Sequence, residues 1–185
     1  MVFIDLEKTY DRAPREVLWR CLEEKGVLPL YIQVIKDMYE GGMTSVRTPR
    51  GVTNDFVIGR GLHQGSALSP FFFTVVMDEV TRGIQNELPR SMLFAEGIVL
   101  MDETRQGVND KLERWRHTLK SRGFRVSRSK TEYLHCCFSG RVDAGREVTL
   151  DGRPIPKVDK FKYLGSIIQQ NGDNGGDVNQ RIKVG

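Results

Sequence analysis

The chain has 185 residues, 28% charged and 39% hydrophobic, an ordinary balance for one folded domain or a piece of a larger one. A net charge of +4 and a pI near 9.0 permit a nucleic-acid partner without demanding one, and no apolar run approaches the length of a membrane span. Cys21, Cys136 and Cys137, with no Cys-x-x-Cys spacing, exclude a disulfide framework and point to free thiols in a reducing compartment, cytoplasmic or nuclear. His135 beside the last two lacks the companions and spacing of a zinc site.

In chain order, "MVFIDL" predicts a buried strand at the first residue, with none of the features of a signal peptide. A domain that opens on a core strand is expected to have lost a preceding part of its fold. "RAPREVLWRCLEEKG" predicts a helix with Pro14 in its first turn, an apolar face of Val17, Leu18, Cys21 and Leu22, and Gly26 as its stop. "LPLYIQVIKDMYEGG" repeats the plan, opening at Pro29, packing Tyr31, Ile35 and Met38, and closing at Gly41-Gly42. "TSVRT" and "DFVIG" predict a hairpin around Pro49-Arg50-Gly51. In "GLHQGSALSPFFFTVVMDEVTRGIQ", Ser69 suits an N-cap and Pro70 a first helical residue. That helix is expected to reach about Asn86, burying Phe72, Val75, Val76, Val80 and Ile84.

"SMLFAEGIVLMDE" reads as two strands, Met92 to Ala95 and Ile98 to Met101, pinched at Glu96-Gly97. "TRQGVNDKLERWRHTLKSRG" predicts an amphipathic helix with Val108, Leu112, Trp115 and Leu119 on one face and Gly123 as its stop. "TEYLHCCF", "EVTLDG" and "FKYLGSII" read as short strands, "QNGDNGGD" as a loop, and "DVNQRIKVG" as the beginning of a helix. The order implies an α+β domain, an antiparallel sheet with helices on one face, undivided by any linker.

Three stretches carry candidate chemistry. Asp5, on the same strand face as Phe3, either joins Glu96 in a carboxylate metal site or caps the turn that follows it. "GLHQGSALSP" leads a glycine-punctuated loop into a helix N-terminus, where backbone N–H groups suit a phosphate and Gln64 offers both a donor and an acceptor. Arg114, Arg116, Lys120, Arg122, Arg125, Arg128 and Lys130 cluster either as a solvated face or as a track for a phosphate backbone.

In this order the pieces resemble the palm of a reverse transcriptase, closest in type to non-LTR (LINE-type) retrotransposons. "FIDLEKTYDRAP" is similar to the first palm motif. The resemblance implies that Asp5 and the backbone carbonyl of Leu6 bind metal, and that Tyr10 lies under the sugar and excludes a 2′-hydroxyl. Thr9 stands where the family usually has alanine. "GLHQGSALSP" resembles the second motif, implying nucleotide or template contact by Gln64 and Gly65. "GFRVSRSKTEYL" resembles the fourth, with Lys130 at a position often assigned to proton donation at the leaving pyrophosphate. "FKYLGSII" resembles the primer grip, through Phe161, Tyr163, Leu164 and Gly165.

The third motif of the family, aromatic-Ala-Asp-Asp, reads Phe94-Ala95-Glu96-Gly97 here. Both aspartates are replaced. The resemblance therefore implies RNA-templated DNA synthesis from deoxynucleoside triphosphates with Mg²⁺ or Mn²⁺ on an RNA template and DNA primer, impaired in this copy. The expected organisation is one palm domain: a core over about 1–140, primer-grip strands over about 141–170, and the start of a thumb connection over 171–185. Fingers and thumb are expected to be largely absent, as in a truncated, degenerate copy. A non-catalytic nucleic-acid-binding remnant and a product without function are the alternatives.

Overall fold

The computed structural model describes residues 1–85, 91–94, 97–136 and 147–184. The chain forms two compact units, one of residues 1–7, 83–121 and 125–185, the other of residues 8–82 and 122–124. No helix among the described residues is long and apolar enough to cross a membrane.

The first unit is built on a five-stranded sheet. β1 (Val2–Ile4) is its centre, flanked by β7 (Gly97–Leu100) and β8 (Glu132–Leu134), with β6 (Ser91–Phe94) and β11 (Lys157–Val158) at the edges. Its pairs are antiparallel except β8 with β11, which run parallel, so the all-antiparallel expectation is corrected at one edge. All of β1 is buried, as the unbroken apolar run Val2-Phe3-Ile4 requires of a strand covered on both faces. On the Phe3 side, Phe3, Val99 and Leu134 are covered by Phe161, Tyr163 and Ile168. These three belong to a hairpin of β12 (Lys160–Tyr163) and β13 (Ser166–Gln169). The single strand expected at "FKYLGSII" is thus two, folded at Leu164 (φ 50°) and Gly165 (φ 84°).

α5 (Arg105–Ser121) packs against β7 and against β9 (Thr149–Leu150), and buries Val108, Leu112, Trp115 and Leu119 as its periodicity predicts. Its polar side also works. The Asn109 side chain accepts the Thr149 N–H at 2.8 Å and the Glu113 carboxylate accepts the Asp151 N–H at 2.7 Å. These bonds clip the small hairpin of β9 and β10 (Arg153–Pro154) to the helix. α6 (Gly175–Val184) follows the hairpin of β12 and β13.

The second unit begins with the short α1 (Thr9–Arg12), followed by α2 (Arg15–Glu24), which packs against both α3 (Pro29–Tyr39) and α4 (Ser69–Thr81). Between α3 and α4 runs a long hairpin, paired twice. β2 (Met43–Thr44) meets β5 (Phe56–Val57), and β3 (Arg47–Thr48) meets β4 (Gly51–Val52).

Several sequence expectations shift here. α2 buries Trp19 in place of Val17, beside Leu18, Cys21 and Leu22. α3 buries Ile32 and Tyr39 and leaves Tyr31 and Met38 exposed, because Tyr39 turns inward onto Trp19 with ring centroids 5.9 Å apart. α4 ends at Thr81, short of Asn86, which lies outside the described residues. Leu68, not Ser69, holds its N-cap position, and the Ser69 hydroxyl donates instead to the His63 carbonyl. Phe72, Val75, Val76, Val80 and Ile84 are buried as expected, and so are Phe73 and Met77.

Candidate functional site

In the first unit, an open cleft of about 350 Å³ is lined by Phe3, Ile4, Asp5, Gly97, Ile98, Lys130, Phe161, Lys162, Tyr163 and Leu164. Strand alternation delivers Phe3 and Asp5 to it together, as expected. Asp5 is fastened through its backbone: its carbonyl accepts the Ser127 N–H at 2.7 Å. The flanking Glu7 N–H donates to the Arg125 carbonyl at 2.8 Å, and Leu6, buried, bridges Val126. The helical turn after it has no side-chain cap, so Asp5 is free of the capping role.

The Asp5 carboxylate instead meets the Lys130 ammonium at 3.6 Å, with side chains 33% and 69% exposed. A pair this wet is worth at most about 1 kcal/mol. β1 pairs Ile4 with Ile98. Continuing that register by one residue brings Asp5 beside Gly97, and both line the cleft. Gly97 belongs to β7 and pairs with Phe94, so it is a strand residue and not part of the turn. Ala95, Glu96 and Cys137 lie outside the described residues.

The chemistry of the described donors decides what this cleft can hold. It offers one carboxylate, Asp5, with an ammonium already beside it, and a glycine where the neighbouring strand begins. Among the described residues no three His, Cys, Asp or Glu side chains stand close enough together to hold a metal ion. A pair of divalent cations needs several hard oxygen ligands. The described set does not fit such a pair.

The hairpin of Phe161, Tyr163, Leu164 and Gly165 forms the opposite wall. Phe161 stacks on Phe3 with ring centroids 3.7 Å apart and planes at 14°, and Tyr163 lies tilted 6.2 Å from Phe3. Burial raises the Tyr163 phenol above its ordinary range. Lys160 and Lys162 alternate with these rings and are exposed. Lys162, which sequence reasoning passed over, lines the cleft with Lys130. Its signal was the period-2 pattern Lys-Phe-Lys-Tyr.

In the second unit, Tyr10, on α1, stacks on Phe73 of α4, ring centroids 5.2 Å apart. Gln64 and Gly65 are exposed, and the Gln64 amide donates to the Asp11 carboxylate at 2.9 Å. The basic residues divide. Arg116 is committed to structure, 2.7 Å from Glu113 and 3.2 Å from Asp151. It is the one member of the cluster that is half-buried. Arg114, Lys120, Arg122, Arg125, Arg128 and Lys130 are exposed.

A family model described as reverse transcriptase (RNA-dependent DNA polymerase) matches residues 1–168. The Pol polyprotein of the retrotransposable element R2DM of Drosophila melanogaster is 28% identical over 183 residues, covering 88% of this chain and 17% of its own. The R2 Pol polyprotein of Popillia japonica is 26% identical, over 93% of this chain and 31% of its own. The chain thus spans under a third of these relatives.

Among solved structures, telomerase from Candida tropicalis with a fragment of telomeric RNA superposes with a TM-score of 0.60 at 18% identity, over 97% of this chain and 30% of that one. A foamy viral protease-reverse transcriptase bound to an RNA/DNA hybrid gives 0.53 at 17% identity, over 98% of this chain and 18% of that one. At such identities these two speak for the fold alone. The central strand that leads into Asp5, its hairpin neighbour and the match over most of the chain lead to one conclusion: the protein belongs to the reverse transcriptase (RNA-dependent DNA polymerase) family, as a palm-like domain related to those of R2-type, non-LTR retrotransposons.

Proposed function

We propose that this palm descends from a retrotransposon enzyme for RNA-directed DNA synthesis and that its own polymerisation is impaired. The observation that carries this reading is the donor set of the cleft: Asp5 beside Lys130, with Gly97 where the family motif has its second aspartate. In an intact site, paired Mg²⁺ or Mn²⁺ ions would activate the primer hydroxyl and steady the leaving pyrophosphate. Asp5, the Leu6 carbonyl and Glu96 are the oxygens this chain has left for them. Glu96 carries its carboxylate one methylene further out than aspartate, a displacement on the order of 1 Å, which can cost about a hundredfold in rate.

The remaining roles follow the family pattern. Tyr10, Gln64 and Gly65 face the deoxynucleotide, Phe161, Tyr163, Leu164 and Gly165 hold the primer end, and Lys130 faces the departing phosphates. The chain is read as one palm domain, with its core over about 1–140. The test is primer extension on an RNA template with Mg²⁺ or Mn²⁺. Incorporation no greater than that of Asp5→Ala supports impairment; robust incorporation that Asp5→Ala abolishes refutes it.

A second reading, a non-catalytic nucleic-acid-binding module, is favoured by the exposure of Lys120, Arg122, Arg125, Arg128 and Lys130. Its affinity for a primer–template duplex should fall steeply as salt rises. Affinity indifferent to salt speaks against it.

A further inference from the structure

We propose that Arg15 is the positioning residue of the loop that carries Gln64. Its guanidinium donates to four backbone carbonyls. Nε reaches Gly61 at 2.9 Å, Nη1 reaches Ile58 at 2.9 Å and Tyr39 at 3.2 Å, and Nη2 reaches Arg60 at 3.2 Å. Its Cζ also lies 4.7 Å from the centre of the Tyr39 ring. Three of the four acceptors fall within Ile58 to Gly61, where the chain has left the hairpin and not yet entered α4. Among the described residues that run has no sheet partner for these carbonyls, and a rigid fork of five donors satisfies them together. Among the described residues no carboxylate pairs with Arg15; its capacity goes to the loop.

The fork acts together with a close approach of backbones. The Gly61 N–H donates to the Ala13 carbonyl at 3.1 Å and the Leu62 N–H to the Tyr10 carbonyl at 2.8 Å. Gly61 has φ +82°, and a Cβ there would stand 2.8 Å from the Tyr10 carbonyl oxygen and 2.9 Å from the Asp11 Cα. The loop therefore lies directly on the helical turn that bears Tyr10 and Asp11. At its end, the Gln64 amide meets the Asp11 carboxylate. A carboxylate only accepts, so the amide N–H must face Asp11 and the amide oxygen is the atom left to present outward. Arg15 and Gly61 set the path of the loop, and Asp11 sets the orientation of the amide. Gln64 is thereby a preset acceptor.

This inference rests on reading Gln64 as a nucleotide contact, and the two are tested separately. Amide hydrogen exchange and the Gln64 side-chain resonance are followed by NMR in the full chain and in Arg15→Lys, Arg15→Gln and Asp11→Ala. An ammonium cannot span the four carbonyls, so Arg15→Lys should speed exchange at Gly61 and Leu62 by about tenfold or more. It should leave Val99 and Leu112 unchanged and move the Gln64 amide signal toward that of a free side chain. Asp11→Ala, an exposed change, should move the Gln64 signal alone. If Arg15→Lys leaves both exchange and signal as they were, or if exchange rises equally at Val99 and Leu112, the positioning role is overturned. Titration with a deoxynucleoside triphosphate judges the underlying reading. A wild-type Gln64 signal that never responds sinks the nucleotide contact while the exchange data still decide the role of Arg15.

Discussion

At the scale of single residues, the chemistry of the cleft turns on who neutralises Asp5. Any divalent cation brought to Asp5 would compete with the ammonium that already lies 3.6 Å from its carboxylate. Lys130→Met should therefore tighten Mn²⁺ binding to the chain several-fold, measured by electron paramagnetic resonance of free Mn²⁺; unchanged or weaker binding would show that Lys130 does not screen the carboxylate. A second charged pair carries stability. Asp102 and Lys111 meet at 2.9 Å with both side chains largely buried, and Asp102 also accepts from the Thr104 N–H and hydroxyl at the start of α5. Burial pushes the Asp102 carboxyl up, but the bonds from Lys111 and Thr104 outweigh it and bring it from 3.8 down to about 2. Because the folded value lies below the unfolded one, this stability is present above pH 4 or so and is lost as pH falls toward 2. Asp102→Asn should lower neutral-pH stability in urea melts and flatten the acid limb over that window. An acid limb of unaltered slope would contradict the assignment.

At the scale of elements, legibility followed burial. α5 was readable because one side of it is buried and the other is not, so Val108, Leu112, Trp115 and Leu119 announce the face. Leu112, fully buried, should cost about 2–5 kcal/mol as Leu112→Ala in denaturant unfolding. A loss under 1 kcal/mol would place the helix outside the core. α3 was misread because it is apolar on two sides. Periodicity cannot choose between Tyr31–Met38 and Ile32–Tyr39, and the Trp19 and Arg15 contacts of Tyr39 make the choice. The hairpin at Leu164-Gly165 was missed because leucine does not announce a turn. Leu164 holds φ 50°, a conformation that suits Asn or Gly, and is 60% exposed. Leu164→Asn should raise stability by about 0.5–1 kcal/mol in thermal melts. A lower melting temperature would mean that Leu164 is held there by packing. Arg15, by contrast, gave no signal at all in the sequence: nothing in "RAPREV" indicates that a guanidinium will gather carbonyls from beyond α3.

At the scale of the whole molecule, the order of motifs was informative because several of them sit at element ends that the core fixes. Asp5 follows the central strand, Gly97 begins its neighbour, and Phe161 and Tyr163 close over Phe3. What the sequence could not supply was the geometry among those ends, or the ion pair that engages Asp5, the one carboxylate among the described residues lining the cleft. The division into two units, each with its own core, leaves Tyr10 and Gln64 in one and Asp5 and Lys130 in the other. The most direct measurement grafts residues 1–168 into an intact R2 relative, once with Glu96-Gly97 as they stand and once with both changed to Asp, and follows primer extension on RNA. The Asp-Asp graft is expected to extend about a hundredfold faster or more than the Glu-Gly graft. Equal rates from the two would contradict the account at its centre.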